Sequence, residues 1–379
     1  MKKEIYLDHA STTYTDPRVL GAMLPYFSEK YGNPQSRHSK GKEALIAIDN
    51  AREKIAEILN CRPSEIIFTS GGTESNNLAI FGTARANQKK GKKIITSKIE
   101  HSSVIAPFKK LEKEKFKITY LDVDNEGFID PRKLKKSIKH DTKLVSIMYA
   151  NNEIGTIQKI SKIGKICREK GIIFHTDACQ AAGLNLNTQK LKVDLMSLNA
   201  GKIYGPKGIG ILYKKREIKI EPIIYGGGQE MELRSGTHNV PAIVGIAKAL
   251  EIAREEREKE NNRLKELRNY LIEGILKIKD THLNGPKANR LPNNINIYFE
   301  DIDADLLVLS LDEAGIYCST ASACKAQTTE SSHVLSAIGL SENQAQSSIR
   351  FSLGKKTTQK DIDYTLKTLT QLIKKMRKY

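Results

Sequence analysis

The sequence has no tryptophan, and aromatic residues fill only 6% of its 379 positions. That scarcity argues against a nucleic-acid binder built on stacking platforms. Cysteine is sparse too. Cys61, Cys167, Cys179, Cys318 and Cys324 are an odd set without a C-x-x-C pair. They suit neither a disulfide framework nor a common zinc motif, so a reducing, cytoplasmic setting and no metal site are expected. No apolar run approaches the roughly 20 residues that cross a bilayer, so no membrane contact is expected. Met1–Glu4 leads directly into the patterned segment Ile5–Thr13, which reads as a start without a secretory leader. There is no internal repeat and no low-complexity linker.

What the chain does have is apolar residue, 39% of the total, enough for real cores. Its length suits a large domain with a smaller one. It also has positive charge: 62 Lys plus Arg against 44 Asp plus Glu, a formal net charge of +18. One reading is a polyanion partner such as tRNA, held through its phosphates. The other is lysine spread over solvated helix faces, and the scatter of the lysines favours it. Lys374–Lys378 reads as the polar end of a terminal amphipathic helix.

Strand-like apolar runs alternate with helical ones. Glu65–Thr69, Lys93–Thr96, Phe116–Leu121, Lys143–Tyr149, Ile172–His175, Val193–Leu198 and Gly208–Tyr213 read as seven strands. Several are largely apolar, as strands covered on both faces are. The alternation implies an α/β fold with parallel pairing in an open sheet covered by helices. After about residue 245 the pattern changes to a long charged helix over Ala247–Ile278, a strand at Asn294–Phe299, a helix near Asp303–Glu313, a strand at Ser348–Leu353 and a final helix. The expected division is a large domain over residues 15–250. A smaller α+β domain then comprises residues 1–14 and 251–379.

Ligands of open α/β sheets gather beyond the carboxyl ends of the strands. Four candidates follow strands there. Ser70-Gly71-Gly72-Thr73 offers a glycine turn, with Thr73 as the cap of a helix whose free N–H groups suit a phosphate. Asp177 and Gln180 follow another strand, and an acid there can pair with a cationic ring nitrogen. Lys202 lies in a glycine-flanked turn, with Lys207 as a rival; a restricted amine can be tuned toward carbonyl chemistry. His101 follows a third strand and reads as an acid–base group or a surface histidine. Each alone has a bland explanation. Together, a phosphate turn, a ring-nitrogen acid and a carbonyl-reactive lysine are what pyridoxal phosphate requires.

The chain resembles the cysteine desulfurases, the NifS/IscS-like branch of the class V (fold-type I) aminotransferases. The resemblance runs nearly end to end, through Tyr6–Thr13, Gly32-Asn-Pro34, Thr69–Ser75, Glu100-His101, Asn151–Gly155, His175–Ala178 and Tyr204–Gly208. It continues through Gly226–Glu230, Arg234–Thr237, Ser322-Ala-Cys324 and Ser348–Leu353. It implies a fold-type I architecture with a mostly parallel seven-stranded sheet, pyridoxal 5′-phosphate as cofactor and L-cysteine as substrate. Lys202 would bond to the cofactor. His101 would stack on its ring and move protons. Asp177 would pair with the ring nitrogen. Gln180 and Asn152 would contact the ring oxygen or the substrate. Gly72, Thr73 and Asn199 would hold the phosphate. Thr237 would reach the phosphate of a partner subunit, implying a homodimer. Arg350 and Asn33 would hold the substrate carboxylate. Cys324, in the small polar stretch Ser319–Ser332, would attack the substrate sulfur as a thiolate and carry it away, leaving alanine. The sulfur acceptor would be an iron–sulfur scaffold or a tRNA-thiolation enzyme.

The sequence departs from the family at two points. Gly201 and Asn199 stand where relatives usually have His and Ser before the lysine, which implies weaker cofactor retention. Thr329–Ser332 lacks the proline of many relatives. Selenocysteine lyase, an aminotransferase, or a non-catalytic sulfur-handling or RNA-binding homologue are the competing readings. Cys318 is read as a buried strand-end residue rather than a sulfur relay. Cys61, Cys167 and Cys179 are read as small apolar packing residues.

Overall fold

A computed structural model describes residues 4–181, 183–320 and 332–377 of the chain. Thirteen strands occur among them. In chain order they are β1 Ile5–Tyr6, β2 Ile66–Thr69, β3 Lys93–Ser97, β4 Lys117–Leu121, β5 Thr142–Ser146, β6 Ile173–Asp177 and β7 Leu195–Asn199. Then follow β8 Gly210–Lys214, β9 Thr281–Leu283, β10 Asn294–Phe299, β11 Ile316–Tyr317, β12 Ser319–Thr320 and β13 Ser348–Ser352.

The main sheet has seven strands in the order β2-β8-β7-β6-β5-β3-β4. All run parallel except β8, which is antiparallel to both its neighbours. The physical reason is the link: β7 returns to β8 through a short turn with no crossover helix, and only antiparallel strands can be joined that way. The helices cover both faces. On β3, Ile94 joins the cluster of Phe108 and Leu111, whereas its neighbour Ile95 joins the larger core with Ile48, Phe174 and Ile246. Alternation along the strand sends successive side chains to opposite faces, and here both faces are dry.

The second sheet, β12-β13-β10-β9, is antiparallel. Its core gathers Leu307 and Leu311 of the helix Ala304–Glu313 with Ile362 and Leu369 of the terminal helix Gln359–Met376. Lys374 and Lys375 end that terminal helix, as its pattern suggests. The charged helix is longer than expected and unbroken, Val240–Ile275. Its Ile243–Ile252 stretch packs in the large core and Leu264–Ile275 in the small one. The N-terminal segment also bridges both: Ile5 and Leu7 sit in the small core, while Thr13 N–H donates to the Gly201 carbonyl at 3.0 Å. No helix among the described residues is long and apolar enough to cross a membrane.

Candidate active site

The carboxyl ends of β2, β3, β6 and β7 converge on one cavity of about 380 Å³. Gly72, Thr73, His101, Asn152, Asp177, Gln180, Asn199, Lys202 and Arg350 all line it. A second hollow lined by Ser70–Glu74, Asn199, Gly201, Lys202 and Lys207 continues it beneath the glycine turn.

Lys202 lies in a 3-10 turn, Ala200–Lys202, directly after β7. The turn is pinned from outside by Thr13, whose Oγ1 donates to the Gly201 carbonyl at 3.1 Å and accepts from Tyr204 N–H at 2.9 Å. Lys202 Nζ donates to the Ala10 carbonyl at 2.9 Å and to that of Ser11. Gln180 Nε2 donates to the same Ala10 oxygen at 2.9 Å. Lys207, the rival lysine, borders only the lower hollow and the outer groove, and its amine points to the Thr13 carbonyl at 3.4 Å.

Asp177, only 6% exposed, ends β6 and accepts from Asn76 Nδ2 at 2.8 Å and Cys179 N–H at 2.9 Å. One turn of sheet below it, His175 bridges Ser146 Oγ (2.8 Å) and Ser197 Oγ (3.0 Å). His101 caps the helix Ser102–Lys113, with Nδ1 accepting Ser103 N–H at 3.1 Å. Burial lowers the His101 pKa below its ordinary value, and Lys202 and His333 add to that against the pull of Asp177.

The phosphate turn differs from expectation in one detail. The helix runs Gly72–Asn87 with Gly71 as its cap, so Thr73 lies inside the first turn rather than capping it. Gly71 has φ of 155°, a conformation costly for a side chain, and a Cβ on Gly72 would stand 2.5 Å from Cys179 Sγ. The first N–H groups of the helix have no intrahelical acceptor. Glu74, the acid in that first turn, is tied to Arg234 at 2.9 Å and to Ser70 N–H at 2.7 Å, so its charge is already matched. Asn199 Oδ1 accepts Gly201 N–H at 3.1 Å, leaving its amide protons facing the glycine turn.

Arg350, on β13, is 3% exposed. It donates to Asp8 Oδ1 at 2.8 Å and Ser11 Oγ at 2.7 Å, and more weakly to the Asn152 carbonyl at 3.3 Å. Its Nε is buried and has no acceptor among the described residues. A buried unmatched donor on a cation suits an anionic ligand.

Two of the expected residues are not brought into the cavity. Asn33 is exposed and its Oδ1 accepts Gln35 N–H within its own loop at 3.0 Å. Thr237 is exposed beyond the cavity wall. Cys324 lies outside the described residues. Cys318 is half-buried against the small core, and burial pushes its thiol far above the ordinary value. Cys167 is a core residue, as read. Cys179 is more than packing: it lines the cavity, and burial raises its thiol well above normal, which keeps it inert.

Sequence reasoning did not find Asp8, Ala10, Ser11, Asn76 or Ser103. The first three arrive from the chain start, and only tertiary structure lays that segment over Lys202.

Comparison with known proteins shows the family and the fold. The family profile described as Aminotransferase class-V matches residues 5–365. A curated relative named cysteine desulfurase IscS, from Dictyoglomus turgidum, is 52% identical over 379 residues, covering 100% of this chain and 96% of its own. The protein of the same name from Methanosarcina thermophila is 48% identical, covering 99% of this chain and 93% of its own. Among solved structures, a NifS-like protein superposes with a TM-score of 0.93 at 41% identity, covering 98% of this chain and 100% of that one. A structure described as SspA in complex with cysteine superposes with a TM-score of 0.82 at 38% identity, covering 93% of this chain and 99% of that one.

Proposed function

Since the chain belongs to the aminotransferase class-V family, as a pyridoxal 5′-phosphate-dependent cysteine desulfurase, we propose specific roles for the residues around its cavity. One observation supports them above all: a single cavity joins Lys202, Asp177, His101 and the free N-terminus of the Gly72–Asn87 helix. The cavity fits the cofactor. A buried carboxylate, a helix start whose first N–H groups have no intrahelical acceptor and a primary amine line it together. When bound, the cofactor supplies an electron sink for bonds breaking at the substrate's α-carbon.

The chain's own residues do the rest. Lys202 would hold the cofactor and then remove the α-proton at Nζ. Asp177 would keep the ring nitrogen protonated through an ion pair in a dry site. Gly72, Thr73 and Asn199 would donate to the phosphate. Gln180 and Asn152 would orient the ring oxygen or the substrate, and Arg350 would take the substrate carboxylate. Asn33, exposed here, would serve that carboxylate only after a rearrangement of its loop. Cys324 would attack the substrate sulfur as a thiolate. The new S–S bond forms as the C–S bond breaks, and protonation of the remainder gives alanine.

We infer a homodimer in which Thr237 would meet the partner's cofactor, and Leu24 at 56%, Phe27 at 60%, Tyr31 at 69% and Tyr225 at 78% exposure are apolar side chains open to a partner. The persulfide sulfur would pass to an iron–sulfur scaffold or a tRNA-thiolation enzyme in the cytoplasm, and the positive surface leaves direct tRNA contact as a reading to test by salt-dependent binding. The division into residues 15–250 and 1–14 with 251–379 is kept as a proposal, with the helix Val240–Ile275 as its bridge.

The test is to supply L-cysteine, cofactor and a thiol reductant and to measure alanine and sulfide together. Equal yields from the wild type, lost in Lys202→Ala and Cys324→Ala, are expected. Full turnover by either variant would remove that residue from its role.

A further inference from the structure

Two buried polar residues with no part in the roles above lie between His101 and Asp177. Asn76 is fully buried on the helix Gly72–Asn87, and Ser103 is 8% exposed in the first turn of Ser102–Lys113. Asn76 Nδ2 donates to Asp177 Oδ2 at 2.8 Å and to Ser103 Oγ at 2.9 Å. Charge decides the amide orientation, because the flipped group would aim its carbonyl oxygen at a carboxylate. Ser103 Oγ in turn lies 2.8 Å from His101 Nδ1, and Ser103 N–H donates to that same nitrogen at 3.1 Å.

Following the protons along this chain leaves one arrangement. Both amide protons of Asn76 are engaged. Ser103 N–H needs an acceptor at His101 Nδ1, so Ser103 Oγ accepts from Asn76 and sends its own proton to that bare nitrogen. His101 Nδ1 receives a hydroxyl and a backbone N–H, which only a bare ring nitrogen can do. With Nδ1 bare the ring is not an imidazolium and its single proton sits on Nε2, and burial favours that neutral form.

We propose that Asn76 and Ser103 are positioning residues that hold His101 as its Nε2–H tautomer and lock its ring in register with the Asp177 carboxylate. This deepens the proposed site and rests on the reading of His101 and Asp177 as cofactor-facing groups. It narrows the role of His101. With Nδ1 blocked and Nε2 protonated, the ring can stack and donate a hydrogen bond, but it has no lone pair with which to take the substrate's proton. That duty falls to Lys202. The titratable groups facing His101 are Asp177, Lys202 and His333, and Nδ1 is engaged by Ser103 through its hydroxyl and its N–H.

Histidine-selective ¹⁵N labelling of the holoenzyme reads the tautomer, with His101→Gln to assign the signal. A bare Nδ1 and a protonated Nε2 are expected across the neutral range. Ser103→Ala should shift the Nδ1 signal and lower kcat about five- to tenfold, the equivalent of one hydrogen bond. KM for L-cysteine should hold, since Arg350 is not in the chain of bonds, and Ser103→Thr should restore both readouts. Asn76→Ser should repeat the loss, which covers a poorly folded Ser103 variant. A proton on Nδ1 in the wild type, or Ser103→Ala and Asn76→Ser variants with wild-type signal and kcat, overturns the proposal. If His101→Gln leaves cofactor absorption and alanine formation intact, the site reading falls and this inference with it. If His101→Gln is damaging while the Asn76 and Ser103 variants are silent, the positioning role alone falls.

Discussion

Arg350 and Asp8 meet in a 2.8 Å ion pair across 342 residues of sequence, and Arg350 lines the candidate cavity. Asp8 holds the guanidinium at one edge, while Nε has no acceptor among the described residues. Arg350→Gln should raise KM for L-cysteine by roughly 10- to 100-fold, the loss of one charge-assisted contact. Cofactor absorption should be unaffected. Initial rates at varied L-cysteine measure it, and an unchanged KM would exclude Arg350 from carboxylate binding.

Gly201 leaves room. A Cβ there meets nothing closer than Asn199 Oδ1 at 3.6 Å and Lys207 Cγ at 3.8 Å. Gly201→His should therefore fold and add a phosphate donor beside the lower hollow. Cofactor affinity should tighten by about tenfold or more. Titration of apo-protein with pyridoxal phosphate measures it. Stoichiometric uptake by the wild type, with no gain in the variant, would show that the cradle lacks nothing.

Acid should weaken the fold before the carboxylates titrate. Burial lowers His175 from 6.5 to about 4, against the opposing charge of Asp177, and burial lowers His9 to about 4 as well. The folded values lie below the unfolded ones, so the unfolded chain binds protons first. The contribution of these two histidines is full above about 6.5 and is lost as pH falls toward 4, partly offset by the buried Glu100, whose carboxyl is raised to about 8 and so favours the fold as pH falls. Thermal midpoints should decline over that window, and less steeply in His175→Gln. Equal slopes would mean that His175 is not a source of the loss.

Glu230 anchors the loop that follows β8. Burial raises its carboxyl, but bonds from His238 and Arg52 outweigh that and hold it below the ordinary value. Arg52 reaches it at 2.6 Å, His238 at 2.9 Å and Phe68 N–H at 2.8 Å. Glu230→Gln removes the charge that pairs with the half-buried Arg52, which keeps its bond to the Ile66 carbonyl, and the lost charge-assisted bonds should cost about 1–3 kcal/mol. Chemical denaturation should show a lowered midpoint, and a wild-type midpoint would mean the network adds little.

Much of the fold was legible because strands covered on both faces carry a dense local signal. The read strand Asn294–Phe299 is β10 as it stands, and Glu65–Thr69 differs from β2 by one residue. The weakest signals were missed: β9 and β12 are two or three residues long, too short for any period. Lys202, Asp177 and His101 stood out in the sequence because each lies at or just beyond the carboxyl end of its own strand. Asn33 and Thr237 came from resemblance alone, and neither reaches this cavity within one chain.

By itself the sequence determined the α/β alternation, the strand ends where ligands gather, and the lysine, acid and histidine that stand there. These follow from local periodicity and from chain direction in parallel sheets. Tertiary structure alone decided that residues 8–11 would lie over Lys202, and that Asn76 and Ser103 would link Asp177 to His101. The reason is that such partners carry no pattern of their own. An asparagine in a helix or a carbonyl near the chain start acquires meaning only when packing buries it and leaves one group within reach to satisfy it.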